Sequence, residues 1–227
     1  MPAKSEQPSA WFWYTCAGSI DAQTFQQWLL LLPLAQQNYY QTIKHNSRRK
    51  SYLFSRLLIC SALSQLFNKP LNHWQIEELD NSAPIIRNLQ KNYFISLTHS
   101  NDLICFALST DRIGIDVEAI KTDRDCHAAA ELFMNTEELS HLPDNGDTLH
   151  QYFYRLWCAK EALYKALPTS DQKKVTLASL SYTDLEENIT GWRLLETEIE
   201  DYRVAIVTQA PLSINELPLI EINVPYS

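Results

Sequence analysis

Between residues 93 and 117 the chain leaves itself little choice but antiparallel β structure. Two apolar runs, residues 93–97 and 103–108, flank Thr98-His99-Ser100-Asn101-Asp102, and a third, residues 113–117, follows at once. Such runs are too short for helices, and strands joined this closely pair antiparallel. The spacing predicts a three-stranded meander with residues 98–102 as its first turn. Upstream, residues 11–16 are aromatic and β-prone. Asp21 is placed to cap a helix that starts near Ala22 and meets Pro33, and a longer helix is predicted over about 48–67, stopped by Asn68-Lys69-Pro70. Downstream, residues 128–133 read as helical and about 151–167 as a second long helix. Residues 192–199 and 202–208 form a hairpin around Glu200-Asp201. The order strand, helices, strands therefore occurs twice, although no period is visible in the letters. The Pro-rich tail after Pro211 is expected to wrap the surface.

Composition narrows the setting. Of 227 residues, 45% are hydrophobic and 20% charged, as in a globular chain with a substantial core. Residues 1–8 are polar, and the longest greasy run, residues 28–32, falls far short of the roughly 20 that cross a bilayer. The five cysteines, Cys16, Cys60, Cys105, Cys126 and Cys158, include no C-x-x-C pair, so reduced, mostly buried thiols in a cytoplasmic protein are expected, with no membrane partner. The net charge of −8 is unevenly spread. Residues 22–76 contain no Asp or Glu but six cations, Lys44, Arg48, Arg49, Lys50, Arg56 and Lys69, whereas residues 111–227 carry 10 Lys and Arg against 21 Asp and Glu. A cationic patch on an acidic chain suits an anionic ligand, or is a solvated helix face. One basic cluster is a poor footprint for nucleic acid, and none is expected.

Three short segments carry chemistry. In Ile113-Gly114-Ile115-Asp116-Val117-Glu118, strand alternation puts Asp116 and Glu118 on one face about 7 Å apart. Two carboxylates so placed repel unless a cation lies between them, and a hard ion such as Mg²⁺ accepts such ligands. Gly114 lets a chain segment or ligand approach closely. In residues 156–166, Leu156, Ala159, Leu163 and Ala166 form a buried stripe, and Glu161 and Lys165 point together off it. They are either an exposed i,i+4 ion pair or a third metal carboxylate beside a phosphate clamp. His99, in Leu97-Thr98-His99-Ser100, is a hydrogen-bonded turn residue or a ligand contact. Taken singly, exposed carboxylates, a helical ion pair and a turn histidine are all commonplace.

Taken together, Thr98-His99-Ser100, Gly114 to Glu118 and Trp157-Cys158-Ala159-Lys160-Glu161-Ala162-Leu163-Tyr164-Lys165 resemble the motif series of the 4'-phosphopantetheinyl transferase superfamily, in its single-chain form. Asn68-Lys69-Pro70 resembles the family's Gly-Lys-Pro, and Arg48-Arg49 with Arg56 its upstream basic helix. Asn68 stands where the family has glycine, Thr98 where it has serine, and Ser96 where asparagine is common. The resemblance implies an α+β fold, a pseudo-twofold duplication of two similar halves at about 1–110 and 111–227, each a small antiparallel sheet on helices, with the active site between them. It implies that Asp116, Glu118 and Glu161 hold Mg²⁺, and that Lys165 neutralises the pyrophosphate of coenzyme A. Thr98, His99 and Lys69 become coenzyme A contacts, with Arg49 and Arg56 candidates for its 3'-phosphate. The implied reaction moves phosphopantetheine onto a serine of an acyl, peptidyl or polyketide carrier protein, with Glu161 or a metal-bound water as base, in a monomer. The same carboxylates also suit a metal-dependent nuclease or phosphohydrolase, and a non-catalytic coenzyme A or carrier-binding module is a further alternative.

Overall fold

The computed structural model describes residues 9–79, 83–212, 217 and 219–222. Its first unit opens with strand β1 (Ala10–Cys16), followed by helices α1 (Ala22–Leu31), α2 (Leu34–Thr42) and α3 (Asn46–Phe67). A short pair, β2 (Ile76–Glu77) and β3 (Ile85–Ile86), precedes the hairpin β4 (Phe94–Ser100) and β5 (Leu103–Ser109). The second unit opens with β6 (Ile113–Ala119) and runs through α4 (Cys126–Ala130), α5 (Thr136–Ser140) and α6 (Gly146–Ala166). It then passes α7 (Thr169–Gln172) and α8 (Tyr182–Glu186) and closes with the hairpin β7 (Arg193–Ile199) and β8 (Tyr202–Thr208). Strand β9 (Leu219–Glu221) lies parallel to β1; the rest of the proline-rich tail is largely outside the described residues.

Local chemistry sets these boundaries. The Asp21 carboxylate accepts from the backbone N–H groups of Gln23 and Thr24 at 2.9 Å each, capping α1 as expected. Helix α3 ends where Asn68 takes φ 52°, a left-handed cap that asparagine tolerates. In α5, Asn135 and Glu138 form a reciprocal capping box.

Side-chain alternation in the strands builds four layers. Trp11 and Trp13 of β1 and Ile104, Phe106 and Leu108 of β5 pack on α3. The opposite face, with Ala10, Phe12, Leu103, Cys105 and Ala107, meets Ile113, Ile115, Val117, Val204 and Ile206 of the second sheet. That sheet turns Ala205 and Val207 onto α6, whose Leu156, Ala159, Leu163 and Ala166 are buried as predicted. Burial of two helices and both sheet faces gives the chain its hydrophobic driving force. All five cysteines are free, and all but Cys16 are buried. Among the described residues no helix is long and apolar enough to cross a membrane.

Two expectations are corrected. Thr98, His99 and Ser100 lie in strand β4, and the turn is only Asn101-Asp102, with Asn101 at φ 47°. Nor does β6 extend a meander: it ladders with β8, giving strand orders β4-β5-β1-β9 and β6-β8-β7 in separate sheets. The physical reason is the same in both cases. Ser96, Thr98 and Ser100, alternate residues of β4, face β6 and bond it through their hydroxyls. Polarity that reads as turn chemistry in the letters is a strand face satisfied across a seam. Within each unit the strands follow one pattern, first strand next to third and third next to second (β1-β5-β4, β6-β8-β7), with a long helix between first and second.

Candidate active site

Gly114 determines how closely α6 lies on β6. A Cβ at this position would stand 2.0 Å from the Ala162 carbonyl oxygen and 2.6 Å from the Ala166 nitrogen, so only glycine allows this helix–strand contact. Two residues along, Asp116 and Glu118 emerge on the same face, toward the turn of α6 that bears Trp157, Glu161 and Lys165. A cavity of about 350 Å³ results, lined by Leu97, Thr98, His99, Asp116, Glu118, Trp157, Glu161 and Lys165. Residues from β4 in the first unit and from β6 and α6 in the second meet there.

Lys165 does not pair with Glu161 four residues back. Its ammonium donates to Asp116 Oδ1 at 2.6 Å and to Thr98 Oγ1 at 3.3 Å, while the Thr98 hydroxyl donates to the same Asp116 oxygen at 3.1 Å. Asp116 is 4% exposed, and its Oδ2 is buried without a hydrogen-bond partner. Glu118 Oε2 accepts from the Ser100 hydroxyl at 3.0 Å. All three carboxyls titrate above their ordinary range. Burial is the leading cause in each; Lys165 opposes it at Asp116 and Glu161, and the negative neighbours add to it, Glu161 at Asp116, Asp116 at Glu118 and Glu118 at Glu161. At Asp116 burial outweighs even the direct ion pair. His99, at the open mouth of the cavity, is held below its usual value by desolvation and by Lys165, against the pull of Glu118. Among the described residues, no three His, Cys, Asp or Glu side chains are placed as they stand to enclose one metal ion.

The other sequence candidates lie outside this lining. Arg56 is buried and bidentate on Glu78, through Nε at 2.8 Å and through Nη2, with its guanidinium over the Tyr52 ring. Its donors are committed inside the protein. Arg49 gives Nε to the Ile43 carbonyl at 2.7 Å and stacks on Tyr40. Lys69 is exposed beyond the end of α3. Three neighbours of the site escaped sequence reading. Ser100 and Trp157 were in view only as motif letters. Arg124, in the loop after β6, spreads its guanidinium over Phe153 and Trp157 at 5.0 and 5.2 Å, and no local pattern marks it. Lys160, next to Glu161 in the chain, faces away from the cavity. It is fully buried, donating to the Phe133 carbonyl at 2.9 Å and to Glu138 Oε2.

Comparison with known proteins agrees with this arrangement. The family model described as the 4'-phosphopantetheinyl transferase superfamily matches residues 112–207, which hold Asp116, Glu118, Glu161 and Lys165 but neither Thr98 nor His99. The chain is 30% identical over 114 residues to the 4'-phosphopantetheinyl transferase psf-1 of Bacillus pumilus, covering 50% of this chain and 48% of that protein. It is 28% identical over 188 residues to HetI of Nostoc, covering 78% and 76%. It is 26% identical over 121 residues to Sfp of Bacillus subtilis, covering 53% of each. The match thus spans about half the length of the Bacillus relatives. Residues 112–207 are thus similar to the 4'-phosphopantetheinyl transferase superfamily, and they hold four of the motif residues that line the cavity, Asp116, Glu118, Glu161 and Lys165.

Proposed function

We propose that the protein transfers the 4'-phosphopantetheine arm of coenzyme A to a serine of an apo carrier protein, releasing 3',5'-ADP, with Mg²⁺ as cofactor. The observation that carries this reading is the single cavity in which Thr98, His99, Asp116, Glu118, Glu161 and Lys165 meet from three distant motifs. The like strand order of the two units supports a duplicated fold with its site between the halves.

The donor set fits the metal. Asp116, Glu118 and Glu161 would hold it: hard carboxylate oxygens in one cavity, including the partnerless Asp116 Oδ2. In the structure as it stands they do not enclose an ion, so binding requires side-chain rotation. When bound, Mg²⁺ neutralises charge on the diphosphate oxygens. The chain's own residues do the rest. Lys165, bridging Thr98 and Asp116, is the cation within reach of a diphosphate in the cavity. Desolvation and Lys165 lower the proton affinity of His99, which favours the neutral ring, and its N–H can serve a phosphate as donor. The carrier serine oxygen forms a bond to the β-phosphorus of coenzyme A. The bond from that phosphorus to the bridging oxygen breaks, and 3',5'-ADP leaves with the electron pair. Serine needs a base to lose its proton, and the Glu161 carboxylate, which lines the cavity, is the group that accepts it. In the acid-free stretch of the first unit Arg56 and Lys50 are paired with Glu78 and Asp102, which leaves the exposed Lys44, Arg48 and Lys69 to meet the nucleotide or an acidic carrier.

Purified protein incubated with Mg²⁺, coenzyme A and an apo carrier should yield a carrier heavier by one phosphopantetheine, with one 3',5'-ADP released per carrier. Cleavage of nucleic acid or a phosphoester without carrier modification would favour the phosphohydrolase reading. Coenzyme A binding with neither reaction would favour the binding module.

A further inference from the structure

We propose that Ser100 is a positioning residue, reaching across the seam between the two sheets to fix Glu118 for metal binding. The inference rests on the reading of Asp116, Glu118 and Glu161 as Mg²⁺ ligands. Strands β4 and β6 lie side by side without a backbone ladder, and three alternate hydroxyls of β4 take its place. They do different work. Ser96 Oγ accepts the Ile115 N–H at 3.0 Å and holds only backbone. Thr98 donates to Asp116, an oxygen already served by Lys165. Ser100 does both jobs at once: its Oγ accepts the Ala119 N–H at 3.1 Å and donates its one proton to Glu118 Oε2 at 3.0 Å.

Those two bonds define each other. Acceptance from a rigid strand N–H locates the Ser100 oxygen, and the single hydroxyl proton then has one carboxylate to serve. Glu118 thereby gains an anchor on the other sheet, against the repulsion of Asp116 on its own strand. Outer partners of this kind orient metal ligands, and losing one typically weakens metal binding by about 10-fold or more. The arrangement also ties the carboxylates of the second unit to the strand that carries His99.

The test is Mn²⁺ binding, read from the electron paramagnetic resonance of free Mn²⁺ in the full-length protein without substrates, alongside the Mg²⁺ concentration for half-maximal transfer. Ser100→Ala should weaken Mn²⁺ binding about 10-fold and raise the Mg²⁺ requirement in parallel. Ser100→Thr, which keeps the hydroxyl, should restore both. Ser96→Ala removes a seam bond without touching a carboxylate, and should lower the melting temperature yet leave Mn²⁺ binding unchanged. If Ser100→Ala fails to fold, Ser100→Cys, a weaker donor of similar size, should shift Mn²⁺ binding in the same direction. Unchanged binding in a folded Ser100 variant, or equal weakening by Ser96→Ala, overturns the inference while leaving the metal reading intact. Wild-type protein that binds no Mn²⁺, with or without coenzyme A, overturns the metal reading and this inference with it.

Discussion

Glu161 illustrates how a site residue can work against the fold that holds it. Its carboxyl is raised above the ordinary range chiefly by burial, with Lys165 opposing and Glu118 adding. A group that binds its proton more tightly when folded favours the folded state at low pH, and loses that contribution as pH rises through its folded-state value. At neutral pH the Glu161 charge is therefore a burden. In protein free of metal, Glu161→Gln should raise the melting temperature at pH 7 by about 1–2 °C, a figure kept small by solvent screening of a half-exposed group. The advantage should vanish as pH falls below the ordinary carboxylate range, as calorimetry across pH would record. A lower melting temperature at pH 7 would mean that the charge is stabilised after all. At this scale the sequence shows which residues carry charge but not which meet. Glu161 and Lys165 read as an i,i+4 pair, whereas the partner Lys165 takes is Asp116, on a strand 49 residues away. Arg56 reads as a basic residue of a solvated or ligand-binding face, and its burial against Glu78 depends on a strand the letters do not mark.

The contact of α6 with β6 is where element packing makes the site. With no room for a Cβ at Gly114, Gly114→Ala must push helix from strand. The cost should be about 3 kcal/mol, at the upper end for overpacking, read from urea unfolding, and transfer should fall by more than the unfolded fraction explains. A variant as stable as the wild type would show the contact to be loose. One turn earlier, α6 is pinned from behind. Lys160 binds Glu138, whose carboxylate also accepts the backbone N–H groups of Asn135 and Tyr182, so one buried ion pair ties α5, α6 and the start of α8 together. Lys160→Ala leaves Glu138 buried without its cation and should cost about 3–5 kcal/mol, measured in the same way; a loss under 1 kcal/mol would contradict a buried pair. Most elements were legible: the cap at Asp21, the buried stripe of α6, the hairpin at Glu200-Asp201, and α3 to within two residues of its start. The first half of β4 was legible as well, but its end at Thr98-His99-Ser100 was not, because threonine, histidine and serine in succession look like a turn unless a second strand is known to lie beside them.

At the scale of the whole molecule, two units of like strand order are joined along β4 and β6 by hydroxyls, and the cavity opens on that seam. The pairing of β6 with β8 rather than with the preceding hairpin is a non-local choice that no window of sequence reveals. The arrangement joins a first unit with an acid-free, cationic stretch to an acidic second unit that bears the carboxylates. On the proposed function, these carboxylates act as one centre for phosphopantetheine transfer. The most direct test weighs an apo carrier protein after incubation with coenzyme A, Mg²⁺ and either wild-type protein, Asp116→Ala or Glu161→Ala, with circular dichroism confirming that each variant is folded. The wild type should add one phosphopantetheine and neither folded variant any. Undiminished carrier modification by Asp116→Ala or Glu161→Ala would contradict the proposed function.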